Sequence, residues 1–284
     1  MTRYAVTGAT GHLGTRAIQT LSKLVEPSDI VALARNVEKA KASVPEGVEV
    51  RHADYDHEDS FVKALQGVDK LLLISSQPGG PVSRQQQHQN VIDAAKADGV
   101  EFIAYTSFAH IETAKSPLAN DHRFTEQAIV KSGIAHSFLR NNWYLENEAA
   151  TIQAALKGQP FVYAAGEGHI GWAAEIDYAD ANAQVMVLEQ PKEIYEFAGQ
   201  SRTYAQLADV VKTVSDHDFE VQSISEAEYQ KNLEASGLNT QTAAAIASLQ
   251  KFIKSGDLAE NSTDLQDVLK RPLTDLATVI KAMK

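Results

Sequence analysis

Tyr4-Ala5-Val6-Thr7-Gly8-Ala9-Thr10-Gly11-His12-Leu13-Gly14 is the stretch that decides the fold. A short apolar run enters glycines spaced Gly8-x-x-Gly11-x-x-Gly14, and Ile18, Leu21, Leu24 and Val25 then recur at helical spacing. Strand, glycine-rich turn and helix together are the context in which a glycine motif points to a dinucleotide. Gly8 permits the tight turn, Gly11 lets the backbone approach a pyrophosphate, and Gly14 lets the helix pack closely. The helix N-terminus offers free N–H donors and a partial positive charge to the phosphates.

The rest of the chain follows in kind. Asp29–Ala34 reads as a buried parallel strand ending at Arg35. An acid here hydrogen-bonds the ribose 2′-hydroxyl of NAD, whereas Arg35 and Lys39 supply positive charge for a 2′-phosphate. NADP is therefore expected over NAD, with a solvated surface arginine as the plain alternative. Strands are predicted over Val48–Ala53, Lys70–Ile74, Phe102–Ser107 and Ala135–Arg140, with helices over Ser60–Leu65, Gln85–Ala97 and Asp121–Lys131. Asp54 is a candidate acceptor for the adenine amino group. The acids around it, Asp56, Glu58 and Asp59, lead into a helix and read as capping and dipole complementation, not as a metal site.

This alternation predicts an α/β fold, a doubly wound parallel sheet with ligand along the C-terminal strand edges. Beyond about residue 150 the pattern loosens into a smaller, mainly helical lobe. The expected division is a cofactor-binding domain over 1–150, with 177–198 packing back onto it, and a substrate lobe over 151–284. A net charge of −11 argues against nucleic acid as a partner. The absence of cysteine excludes thiolate chemistry and fits a cytoplasmic location. The run Leu71-Leu72-Leu73-Ile74 is too short for membrane insertion. The chain enters a strand at once, which predicts no leader peptide. No His pairing has metal-ligand spacing, so no metal is expected.

Thr7–Gly14, Val31–Asn36, Phe102–Ser107 and the loop Leu139-Arg140-Asn141-Asn142-Trp143-Tyr144-Leu145-Glu146-Asn147 together resemble the NmrA-like branch of atypical short-chain dehydrogenases. Within it the similarity is to bacterial NADPH:quinone oxidoreductases and triphenylmethane reductases. The resemblance implies a Rossmann-type domain binding NADPH. By position Gly8, Ala9, Thr10, Gly11, His12 and Leu13 would hold the pyrophosphate and Arg35 the 2′-phosphate. Ser75, Ser76 and Gln77 would line the middle of the cofactor. Asn141, Asn142, Trp143 and Tyr144 would border the nicotinamide and a flat, quinone-like acceptor.

Two departures stand out. Relatives often carry Gly at Asn142; if the backbone there needs positive φ, Asn is the least costly replacement and the loop is kept. The Tyr-x-x-x-Lys pair of typical short-chain dehydrogenases is replaced by His122 and Glu126. Ketone chemistry is then disfavoured, whereas a quinone accepts hydride without that apparatus or a flavin. His122 is the candidate proton donor, its pKa expected near neutral; a hydrogen bond to Glu126 is the plain alternative. Tyr144 is the candidate to stack on the acceptor with Trp143, or both residues pack the loop. The other function class is a binding module that senses the redox state of NADP and regulates a protein partner. A homodimer is left open.

Overall fold

A computed structural model describes all 284 residues. Its first half runs β1 (Tyr4–Val6), α1 (His12–Leu21), β2 (Ile30–Ala34), α2 (Val37–Lys41), β3 (Glu49–His52), α3 (Glu58–Ala64), β4 (Lys70–Leu73), α4 (Arg84–Ala97), β5 (Phe102–Phe108), α5 (Leu118–Ser132) and β6 (Ala135–Asn141). The second half adds α6 (Ala149–Leu156), β7 (Phe161–Tyr163), β8 (His169–Ile170), α7 (Glu175–Val187), β9 (Ile194–Phe197), β10 (Arg202–Thr203), α8 (Tyr204–Val214) and β11 (Val221–Ser223). Four helices close the chain: α9 (Glu226–Ala235), α10 (Thr240–Lys254), α11 (Asp264–Leu269) and α12 (Leu276–Ala282).

Seven strands form one parallel sheet in the order β3-β2-β1-β4-β5-β6-β9. The order reverses between β1 and β4, so the crevice for a ligand opens at the ends of these two strands. Every residue of β2 is buried, as a strand covered on both faces must be. β3, at the sheet edge, instead carries Glu49 and Arg51, charges that discourage pairing with another chain. α1, α7 and α11 cover one face through Leu13, Ala17, Ile18, Tyr178 and Leu265, while α3, α4 and α5 cover the other through Phe61, Val91 and Ile129.

The six strands expected in the first half occur within a residue or two of their predicted bounds, and β9 adds a seventh. Arg16 and Thr20 of α1 converge with Arg271 on Asp180 of α7, which fixes α7 against α1. After β6 the chain also forms two small sheets, β10–β8 and β11–β7, among its helices. No helix is long and apolar enough to cross a membrane.

Candidate active site

The three glycines of the first turn are required for different physical reasons. Gly8 has φ +62°, where a side chain would be strained. At Gly14 an added Cβ would lie 2.3 Å from the Gly8 carbonyl, so α1 closes onto the turn itself. At Gly11 an added Cβ would meet only the Gly8 oxygen, at 3.4 Å. Space there is open on the protein side and is suited to a ligand's approach. The amides of His12, Leu13 and Gly14 have no backbone acceptor, and the first turn of α1 holds no acid.

A cavity of about 850 Å³ runs from this turn along the strand edges. Gly8, Thr10, Gly11, His12, Leu13, Arg35, Asp54, Ser75, Ser76, Gln77 and Tyr144 all line it. Ala9 does not: it is fully buried, its N–H donates to Leu33 O and its carbonyl accepts from Thr15 Oγ1. Ala9 therefore shapes the turn from behind. At the far end Arg35 is exposed and neither it nor the Lys39 ammonium has a protein partner. Asp54 Oδ1 accepts the Asp56 N–H, and Glu58 and Asp59 occupy the first turn of α3.

At the end of β4 the backbone is pinned by side chains. The Ile74 N–H donates to Thr7 Oγ1 and the Ser75 N–H to Thr106 Oγ1, both at 2.8 Å. The Ser76 N–H donates to His88 Nε2 at 2.9 Å, so His88 carries its proton on Nδ1, facing Thr125 Oγ1. Burial pushes the His88 pKa down to about 3, which keeps that acceptor neutral. The Ser76 hydroxyl donates to Gln87 Oε1 and is consumed in holding the turn.

A second cavity, about 270 Å³, shares Ser75, Gln77, Pro78, Thr106 and Tyr144 with the first. His122, Asn141, Asn142 and Trp143 line this one only. Asn141 donates to the Tyr144 hydroxyl at 2.9 Å, and its own Oδ1 is buried without a partner. Asn142 is not among the residues with positive φ, so a left-handed backbone does not explain the asparagine. Its amide side chain accepts from the Trp143 and Gly171 N–H groups and donates to Leu258 O, clamping the lobe to the end of β6. That side-chain role, not a left-handed backbone, is what asparagine supplies there.

Trp143 and Tyr144 do not stack on each other. The indole N–H of Trp143 donates to Glu148, and the Tyr144 ring packs 4.9 Å from that of Tyr178. The expected near-neutral His122 is also corrected. Burial drives its pKa well below the ordinary value, with the Arg84 charge adding to the effect, so it is a neutral imidazole. Its Nδ1 bonds the Tyr105 hydroxyl at 2.8 Å, not Glu126. Glu126 instead takes a bidentate pair from Arg140 and a hydrogen bond from Ser107.

Arg84 and Glu175 line the cavities without a motif to mark them, and Tyr105 and Thr106 sit inside the stretch Phe102–Ser107 with no site role assigned from sequence. For Arg84 the signal is position. It is the first residue of α4, three positions after the loop Pro78-Gly79-Gly80-Pro81, which a doubly wound sheet places on the ligand side.

Fold and site together define a Rossmann-type dinucleotide-binding protein with a second small-molecule cavity beside the cofactor cleft. A family model described as NAD(P)H-binding matches residues 8–169, and the chain belongs to that family. It is 44% identical over 276 residues to quinone oxidoreductase 2 of Escherichia coli, with 96% of each chain covered. The crystal structure of the NADPH-dependent quinone oxidoreductase from E. coli complexed with NADPH superposes with a TM-score of 0.93, at 42% identity over 99% of both chains. The Citrobacter sp. triphenylmethane reductase complexed with NADP(H) also gives 0.93, at 35% identity over 99% of this chain and all of that one. The open face of Gly11, the free amides of α1 and the unpaired Arg35 fit NADPH chemically.

Proposed function

We propose that this protein is an NADPH-dependent reductase of quinones. The observation that carries the reading is the junction of two cavities at Ser75, Thr106 and Tyr144, where the second has no Tyr–Lys pair and its one histidine is neutral. The named relatives support a catalytic role over a purely regulatory one. NADPH, when bound, supplies hydride. Toward it the glycine turn and α1 would bind the pyrophosphate, Arg35 the 2′-phosphate, and Ser75 and Gln77 the middle of the molecule. Tyr144, braced by Tyr178 and Asn141, would fix the plane of the acceptor against the cofactor. Holding reactants in register and excluding water lowers the barrier without a strong acid. His122 contributes a neutral imidazole whose Nδ1 is tied to the Tyr105 hydroxyl and whose Nε2 has no protein partner; in the tautomer where Tyr105 donates to Nδ1, Nε2 would carry the ring proton.

Residues 1–150, with 177–198 returning onto them, would form the cofactor unit and the rest of 151–284 the acceptor-side lobe. The pairing of β9 with β6 supports this division, and the lack of cysteine supports a cytoplasmic setting. The test is NADPH oxidation across quinones, azo dyes and triphenylmethane dyes. Quinones are expected to oxidise NADPH fastest, and Tyr144→Ala to raise the quinone KM while leaving NADPH affinity nearly intact. Tight NADPH binding with no oxidation by any acceptor would overturn the proposal in favour of a redox sensor.

A further inference from the structure

Arg84 lines the second cavity, and its side chain makes no hydrogen bond and no ion pair within the protein. Its Nε is shut off from solvent and has no partner. A buried unsatisfied donor on a charged group is destabilising, and such a group calls for an explanation outside the stability of the fold. Its position sharpens the point. Arg84 is the first residue of a 14-residue helix, where a cation opposes the helix dipole.

The rest of the cavity offers it nothing of opposite charge. Ser75, Thr106, Asn141 and Tyr144 contribute neutral polar groups, His122 is neutral, and no Asp or Glu is among the lining residues. In a chain with 37 acidic and 26 basic residues, this is a local reversal of sign. Unpaired positive charge in a walled cavity concentrates anions and stabilises negative charge as it develops.

We propose that Arg84 is the anion-binding catalytic residue of the acceptor cavity: its guanidinium holds the acceptor oxygen that becomes negative, and it favours quinones carrying an acidic substituent. The inference rests on the quinone-reductase reading. In that reaction the quinone gains a hydride and becomes a hydroquinone monoanion, leaving oxidised NADP. The charge rests on a ring oxygen until a proton from water neutralises it. Arginine stays protonated throughout, so it stabilises the anion without supplying the proton.

The test compares wild type, Arg84→Gln and Arg84→Lys, in the presence of NADP, for binding of the redox-inert anion hydroxynaphthoate and of neutral naphthol. Turnover of a naphthoquinone sulfonate and of the unsubstituted naphthoquinone is measured alongside. Wild type is expected to bind hydroxynaphthoate about tenfold or more tighter than Arg84→Gln, in keeping with the loss of a charge-assisted contact. Naphthol affinity and NADPH affinity should stay within about twofold of wild type, Arg84→Lys should recover part of the anion binding, and the preference for the sulfonated quinone should vanish in Arg84→Gln. The melting temperature of Arg84→Gln should hold or rise, because an unpaired donor has been removed; a residue kept for stability would do the opposite. Undiminished hydroxynaphthoate binding by Arg84→Gln, or an equal loss of NADPH affinity, would overturn the proposal even where quinones are reduced. Arg84-dependent anion binding in a protein that reduces no quinone would retain the anion site and reject the reaction.

Discussion

Arg140 and Arg35 place the same guanidinium under opposite conditions. Arg140, at the end of β6 and tied through Glu126 to Ser107 of the second cavity, has its side chain 5% exposed and is paired with Glu112, Glu126 and Glu196. Arg35, at the end of β2 on the rim of the cofactor cavity, is exposed and unpaired. Satisfying a buried charge with carboxylates builds a rigid floor, because removing Arg140 or Glu126 strands the other in a low-dielectric setting, whereas Glu112 stays largely in water. Leaving a rim charge in water costs the fold little and keeps it available for a phosphate. The floor supports geometry and the rim supports recognition, so substitutions in the two regions should fail in different ways.

The largest effect should come from the floor. Arg140→Met leaves the buried Glu126 carboxylate without its cation and is expected to lower stability by about 3–5 kcal/mol. Urea unfolding measures it, and adding Glu126→Gln should restore part of the loss. An unchanged unfolding midpoint would end the distinction between floor and rim. Next comes the rim itself. Arg35→Asp should weaken NADPH by roughly 1.5–3 kcal/mol, or about ten- to a hundredfold, and NADH far less. Stability should move by no more than about 0.5 kcal/mol, as for other surface changes. Equal losses for NADPH and NADH in fluorescence titrations would remove Arg35 from the 2′-phosphate site.

The rim was more legible in the sequence than the floor. Glycine spacing and strand ends are local, so Thr7–Gly14, Arg35 and Ser75–Gln77 could be placed from their neighbours alone. The partners of Glu126 and His122 could not. An i, i+4 pair on a helix suggests a mutual hydrogen bond, yet β5 and β6 deliver Tyr105 and Arg140 to these side chains from elsewhere in the chain. Asn142 misled for a related reason: its partners, Gly171 and Leu258, come from the lobe, whose packing no short pattern reveals. The two-residue strands β8 and β10 hold no alternation to read, and the short helices α2 and α6 fall between the strands and helices whose patterns are plain.

The smallest effect tests whether the rim is tuned as well as open. Glu175, the first residue of α7, lines the cofactor cavity with His12 Nδ1 3.9 Å from its carboxylate. Burial raises its pKa above the ordinary carboxylate value, and the neighbouring charge of Glu146 raises it further. Below that pKa the group is neutral. As pH rises through it, a negative charge enters the cavity expected to hold the cofactor's phosphates, so NADPH affinity should fall. A unit charge at about 8 Å with an effective dielectric of about 40 gives roughly 1 kcal/mol, or about fivefold. The stability sign runs the same way, since a raised folded-state pKa stabilises the protein at low pH and that contribution is lost as the group ionises. Glu175→Gln should therefore flatten the pH dependence of NADPH binding relative to wild type. Both proteins see the same titrating 2′-phosphate, so the ligand's own ionisation cancels in the comparison, and His12→Gln controls for the adjacent imidazole. If Glu175→Gln keeps the wild-type slope, the carboxyl is too well screened to act. The rim would then recognise the cofactor through Arg35 and the helix amides alone.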